Sequence, residues 1–182
     1  MSMVNKKLLA LFLLFALPGL LRADSKWVLA QSTLTYHISH PLHEANGVSH
    51  AARGEGICHA GQCNFLIAVP VKSFDSGNSN RDLHMLEAVR GAEFPLVTVH
   101  LHLPEAALSS GTFHADLEIQ FAGRTAEYNQ VPFRRLVKGT ETEITGTIPL
   151  KLSDFKIKRP SLLDMPIKNA VPVRVDTLWH VQ

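Results

Sequence analysis

The chain is short of most features that mark an enzyme or a nucleic-acid partner. Its 182 residues contain no Gly-x-Ser-x-Gly elbow, no phosphate-cradling glycine loop and no dinucleotide fingerprint. His-Glu-x-x-His is missing too, since His43-Glu44 is followed by Ala45-Asn46-Gly47. These absences leave the commonest routes to acyl transfer, nucleotide chemistry and zinc hydrolysis without residues, and no catalytic residue is assigned. Charge is sparse. Asp, Glu, Lys and Arg make up 19% of the chain, and the net charge of +2 is scattered, which argues against a nucleic-acid partner. There is no low-complexity tract, no internal repeat and no second compositional regime, so one domain is expected.

Long apolar runs are scarce as well. The one that stands out, Leu8 to Leu17, follows Lys6 and Lys7 and is broken by Pro18-Gly19. Leu21-Arg22-Ala23 then offers a small residue for cleavage before Asp24. That layout predicts a signal peptide over 1–23, too short to span a bilayer comfortably, and a mature domain over 24–182 in the periplasm. Cysteine is limited to Cys58 and Cys63. In an exported chain such a pair predicts a disulfide across the hairpin loop His59-Ala60-Gly61-Gln62. The rival reading is a metal site on Cys58, His59 and Cys63, which would need a fourth ligand from elsewhere.

What the chain has in quantity is period-two alternation. Thr33 to His40 sets Leu34, Tyr36 and Ile38 on one side. Asn64 to Val71 groups Phe65, Ile67, Val69 and Val71, with Pro70 at a strand end or a bulge. Leu96 to Leu103 groups Val97, Val99, Leu101 and Leu103, while His100 and His102 share the opposite face. Thr112 to Phe121 is the cleanest strand: Phe113, Ala115, Leu117, Ile119 and Phe121 against His114, Asp116, Glu118 and Gln120. Further strands are expected at 126–137, at 141–152 with Ile144 and Ile148 on one face, and at 170–181 with Val171, Val173, Val175 and Trp179. Pro41 to Gly47 reads as a turn-rich loop, and Gly54 and Gly56 as a bend or bulge. Short strands with one-sided alternation predict an all-β, antiparallel sheet, and about eight of them suit a closed barrel that holds one small ligand.

One excursion interrupts the strands. Asp75, Ser76, Gly77 and Asn78 form a turn, and Arg81 to Val89 reads as a short helix capped by Asn78 or Ser79. Leu83, Leu86 and Val89 fall at helical spacing and are expected on its buried face. Such a helix is either a lid over a ligand cavity, with Arg81, Asp82, Leu83, His84 and Leu86 as its working residues, or a plug that packs the barrel end.

Taken together these residues resemble the YceI-like family of secreted, lipocalin-like barrels. The resemblance is carried by Trp27, by Tyr36-His37-Ile38-Ser39-His40, and by Val48 to Gly56. It continues through Ser79-Asn80-Arg81-Asp82-Leu83-His84-Met85 with Phe94-Pro95, Gly111 to Gly123, and Ser153-Asp154-Phe155-Lys156-Ile157. It implies an extended eight-stranded antiparallel β-barrel, an apolar tunnel holding a polyisoprenoid or isoprenoid quinone, and, in many members, a homodimer. A carrier of that kind is expected to touch a membrane transiently and to need no cofactor beyond the bound lipid.

A barrel with strands of about ten residues stands roughly 25 Å tall. A tail of about 20 carbons buried there gains some 16 kcal/mol gross at about 0.8 kcal/mol per methylene. Association consumes about 4–15 kcal/mol of it. The candidate lining is Phe65, Ile67, Val69, Phe113, Leu117, Ile119, Ile144, Ile148 and Val173. Alternation says which of these share a face; it does not say whether that face lines a cavity or ordinary core. Two further readings stay open. His37, His40, His43 and His50 cluster around one loop and suggest a metal- or haem-binding protein, although no metal ligand is assigned. Asp82 and His84 are the residues a hydrolase would use.

Overall fold

The structure, a computed structural model, describes residues 24–182. The expected signal peptide lies outside the described residues. The strands are β1 Ser25–His40, β2 His43–Ser49, β3 Arg53–His59, β4 Gln62–Pro70, β5 Leu96–Pro104 and β6 Thr112–Phe121. They continue with β7 Arg124–Lys138, β8 Glu141–Ile148, the short hairpin β9 Ser161–Leu162 and β10 Met165–Pro166, and β11 Val173–Val181. The helix α1 spans Ser79–Ala88. Every pairing is antiparallel, and the ring β1-β3-β4-β5-β6-β7-β8-β11 closes where β11 pairs with β1. β2 follows β3 along the same edge of β1, so the two share one of the eight places in the barrel.

The alternation read from the sequence is the alternation of burial. In β6 the residues Phe113, Ala115, Leu117 and Ile119 are buried and their neighbours exposed. Closure pairs both sides of the eight ring strands, while β2 is paired with β1 alone apart from the Val48–Asp75 bridge. Two register shifts bend the sheet, between Leu29 and Gln31 of β1 and opposite Ala115 to Leu117. The second places Gln130 at φ 56°, and both its backbone N–H and its side-chain amide donate to Asp116 Oδ1, at 2.8 and 3.0 Å.

Neither shift falls at Gly54 or Gly56, contrary to expectation. Gly56 pairs directly with Phe65 of β4, and the ring lies across its backbone: a Cβ there would stand 2.2 Å from the ring. Tyr36 lies across Gly47 of β2 in the same way, with 2.3 Å for a Cβ. These glycines make room for aromatic rings rather than bending the strand. Gly47 accordingly sits inside a strand, and the expected Pro41 to Gly47 loop shrinks to the turn at Pro41-Leu42. Trp27 to Leu29 forms part of one long β1. Pro70 closes β4, where its missing donor costs nothing.

Cys58 and Cys63 face each other across β3 and β4 and form the disulfide, so neither sulfur is free for the alternative metal site. His59 instead meets Asp24, with 2.8 Å between Nδ1 and Oδ1. Cys58→Ser should lower stability by up to about 2 kcal/mol without abolishing the fold, since the bond closes a short loop. Urea unfolding of the variant beside the parent measures this. Equal midpoints would mean that the bridge adds nothing.

Candidate functional site

The inner faces of the ring do not meet at the centre. They enclose a cavity of about 640 Å3 with an almost wholly apolar wall. One end is floored by aromatic rings. Phe65 packs edge-on against Trp27 at 5.6 Å and against Trp179 at 5.4 Å. Trp179 Nε1–H donates to Thr177 Oγ1 at 3.0 Å, and Thr177 donates in turn to the Ile144 carbonyl at 2.9 Å, so this buried indole is satisfied. The disulfide end of the β3–β4 hairpin lies beyond that floor.

The wall is built by alternation. All nine candidate lining residues border the cavity: Phe65, Ile67 and Val69 from β4, Phe113, Leu117 and Ile119 from β6, Ile144 and Ile148 from β8, and Val173 from β11. Leu34, Tyr36 and Ile38 of β1 and Val97, Val99 and Leu101 of β5 border it as well. Their alternation is equally clear in the sequence, and the same signal would have included them.

The opposite end is the mouth. Three segments frame it: α1, the β1–β2 turn and the β9–β10 hairpin, none of which completes the ring. The helix begins at Asn78, whose side chain accepts from the Arg81 N–H at 3.0 Å. Its inward residues are Asn80, Arg81, His84, Met85 and Ala88. Leu83 is not among them. It is 54% exposed and points outward, while Met85 and Leu86 pack against the core and Val89, just past the helix, is buried. Leu83 and Leu86 are three apart, but the helix lies with the Arg81–His84–Met85–Ala88 edge inward, which the apolar spacing did not reveal. No residue within α1 is fully buried, so the helix borders an open volume instead of filling it.

Arg81 and Asp82 hold this excursion together. Arg81 donates through Nε to Ser76 Oγ at 2.8 Å and through Nη2 to the Ser76 carbonyl at 2.7 Å. The Asp82 carboxylate accepts from the Ser76 N–H at 3.1 Å. Both side chains are therefore committed to the turn. Arg81→Ala should loosen the 73–95 excursion and speed loss of a bound ligand severalfold. Hydrogen exchange of that segment and ligand off-rate check it; unchanged values for both would end the tie-down role.

The hairpin β9–β10 is fastened to the end of β1. His40 Nε2–H donates to the Met165 carbonyl at 2.9 Å, its Nδ1 accepts from the Leu42 N–H at 3.1 Å, and the Lys168 N–H donates to the Ser39 carbonyl at 2.8 Å. The other histidines of the loop cluster go separate ways. His37 meets Asn46, His50 meets the Ser32 carbonyl, and His43 lies beside the His40 ring. Among the described residues no group of three His, Cys, Asp or Glu side chains converges to hold a metal ion. His100 and His102 lie on strand β5 opposite Glu118 and Asp116 of β6, and His102 Nδ1 meets Asn64 Oδ1.

Two tyrosines differ from their surroundings. Tyr36 borders the cavity, is buried, and its hydroxyl has no hydrogen-bond partner within the protein. Burial pushes its phenol up, helped by the nearby Asp82 and Asp75 and opposed by Arg81. Tyr128 donates to Asp154 at 2.8 Å and accepts from the Lys151 N–H at 3.2 Å, pinning the segment after β8. Burial first, and Asp154 as well, push its phenol from the ordinary 10.0 up to about 12, against the lowering effect of the Lys151 N–H. The fold thus favours both phenols in the neutral form. Their contribution to stability is complete below about pH 10 and is lost as pH rises, for Tyr128 through about 12. These are the only tyrosines in the chain, so ultraviolet titration of native protein should show no ionisation step at 10. A normal step for both in the native state would mean that neither phenol is held neutral by the fold.

A closed antiparallel barrel with a hollow apolar interior and a framed mouth is a lipocalin-like fold. The chain belongs to the YceI-like family: the YceI-like domain profile matches residues 27–178. No curated protein sequence matches it. Among solved structures it is similar to BcnA of Burkholderia cenocepacia, at TM-score 0.69 and 14% identity over 81% of this chain and 95% of that one. It is also similar to a domain from Saccharophagus degradans described as polyisoprenoid-binding, at TM-score 0.65 and 16% identity over 86% and 98%. At such identities the likeness is one of fold. Among the described residues no helix is long and apolar enough to cross a membrane.

Proposed function

We propose that the protein binds and carries a long apolar lipid, an isoprenoid chain or isoprenoid quinone, in the barrel interior, and that it works in the periplasm. The observation that carries this reading is the cavity itself: about 640 Å3, apolar from the aromatic floor to the mouth. That is the size range of a built ligand site, and the lining would gain about 0.8 kcal/mol for each methylene it took from water. A floor at one end and a framed mouth at the other suit a chain that enters by its tail. The Tyr36 hydroxyl, buried on this wall without a hydrogen-bond partner within the protein, supplies a donor for one oxygen of the ligand, such as a quinone carbonyl. Arg81 is already committed to Ser76, which favours a neutral head over a diphosphate. The YceI-like fold and its polyisoprenoid-binding structural relative support the lipid class. The disulfide and the leader-like N-terminal sequence support the compartment, where an oxidising environment preserves such a bond.

The test is to purify the protein from a membrane-containing source, extract it with organic solvent and identify the lipids by mass spectrometry. An isoprenoid or quinone near one per barrel is the expected result. A protein that carries no extractable lipid, and takes up none from added quinone, would overturn the reading.

A further inference from the structure

Four leucines stand exposed at the mouth. Leu163 is 74% exposed, Leu42 58%, Leu83 54% and Leu162 49%. They come from the three segments that frame the cavity: the tip of β9–β10, the β1–β2 turn and α1. Leu163 sits where a leucine is hardest to explain. It and Asp164 form the two-residue turn of the hairpin, with φ of 51° and 61°, positions that favour Asn and Gly. A bulky side chain there adds strain, meets almost nothing, and stands out into solvent.

One side of the same end is basic. A second, smaller cavity of about 270 Å3 shares Ala88 and Ile157 with the mouth of the large one, so the two are adjacent. Four basic residues line it: Arg90, Arg124, Lys156 and Lys158. Arg90 pairs with Glu93 at 2.8 Å and lies over the Phe94 ring. No carboxylate is among the residues lining that cavity. Segment 156–168 holds Lys156, Lys158, Arg159 and Lys168 against the single acid Asp164. Outward leucines on short turns, beside a basic hollow, match a surface that sinks its tips among acyl chains and sets its cations against lipid phosphates.

We propose that the mouth of the barrel is a docking face for an anionic bilayer, with the Leu162-Leu163 tip and Leu42 entering the interface and the basic hollow taking the headgroups. This rests on the lipid-carrier reading for its purpose. A tail drawn through water loses about fourfold in equilibrium for every methylene exposed, and a mouth held against the bilayer avoids that exposure. The helix and the hairpin frame both the mouth and the docking face, so contact and entry occur at one place.

The experiment is co-sedimentation of the purified protein with vesicles of phosphatidylcholine alone and of phosphatidylcholine mixed with phosphatidylglycerol, at low and high salt. The expected result is binding to the mixed vesicles that is about tenfold weaker on the neutral ones and falls with salt. Leu162→Ser combined with Leu163→Ser should weaken it about tenfold, as should Lys156→Glu combined with Lys158→Glu. Leu42→Ser, in a different turn, tests the same face if the hairpin variant misfolds. Variants that bind as the parent does would overturn the proposal. So would a leucine variant that changes only the oligomeric state in sedimentation velocity, which would make the patch a self-association surface. Extractable lipid per protein is measured alongside. Its absence in the parent would count against the carrier reading, whereas vesicle binding that ignores both sets of substitutions would count against the docking face.

Discussion

Leu117→Glu is expected to leave a folded barrel that carries no lipid. Leu117 is 2% exposed, borders the cavity and lies between Leu101 of β5 and Tyr128 of β7. A carboxylate at that point has hydrocarbon on every side. Keeping it charged costs several kcal/mol, so it draws in water or takes up a proton, and either outcome removes apolar surface from the ligand. Gln120→Glu, on the outward face of the same strand, keeps the oxygen that accepts from Thr98 and should be nearly silent. Lipid recovered per protein, measured for both variants with circular dichroism as a check on folding, decides the matter. Val99→Trp is an uncharged companion, since Val99 is half-buried and borders the same space, and an indole there takes volume from the ligand. If folded Leu117→Glu and Val99→Trp both still carried lipid, the ligand would have to sit elsewhere.

Gly56→Ala should be a costly methyl group to add to this protein. Its Cβ would stand 2.2 Å from the Phe65 ring, and three ring carbons lie within 2.9 Å. The ring cannot simply swing aside, because Trp27 and Trp179 pack against it and all three are buried. Overpacking of this kind costs about 1–3 kcal/mol. Displacing Phe65 would also disturb the cavity floor, so lipid retention should fall with stability. Gly111→Ala is the control, since its Cβ would come no closer than 4.0 Å to the Arg135 carbonyl oxygen. Denaturant midpoints of the two variants should differ clearly. Equal midpoints would mean that Phe65 has a second comfortable position.

Much of this architecture is legible in the chain because a strand repeats every two residues. Phe113, Leu117 and Ile119 must share a face whatever the sheet does, and they do. The helix was legible from its cap, since an Asn side chain satisfies a free N–H at the first turn. Its orientation was not. Leu83 and Leu86 have helical spacing, yet one faces solvent, because the helix lies over a hollow and has no core to take all its apolar side chains. The β1–β2 turn was hidden for a related reason: Gly47 looks like loop until Tyr36 is placed upon it, and that contact belongs to a pair of strands. The β9–β10 hairpin was hidden because its turn opens on Leu163, a leucine where Asn or Gly is usual.

What the sequence determined by itself was local: which side chains share a face, where the helix starts, and the family to which the whole pattern belongs. Whether the shared face would meet packed neighbours or enclose a space was decided only by the tertiary structure. The reason is geometric. Eight strands set the radius of the ring, and side chains reaching inward from residues far apart in the chain either fill that radius or leave it open. Here they leave about 640 Å3 open, with Tyr36 among the residues on its wall.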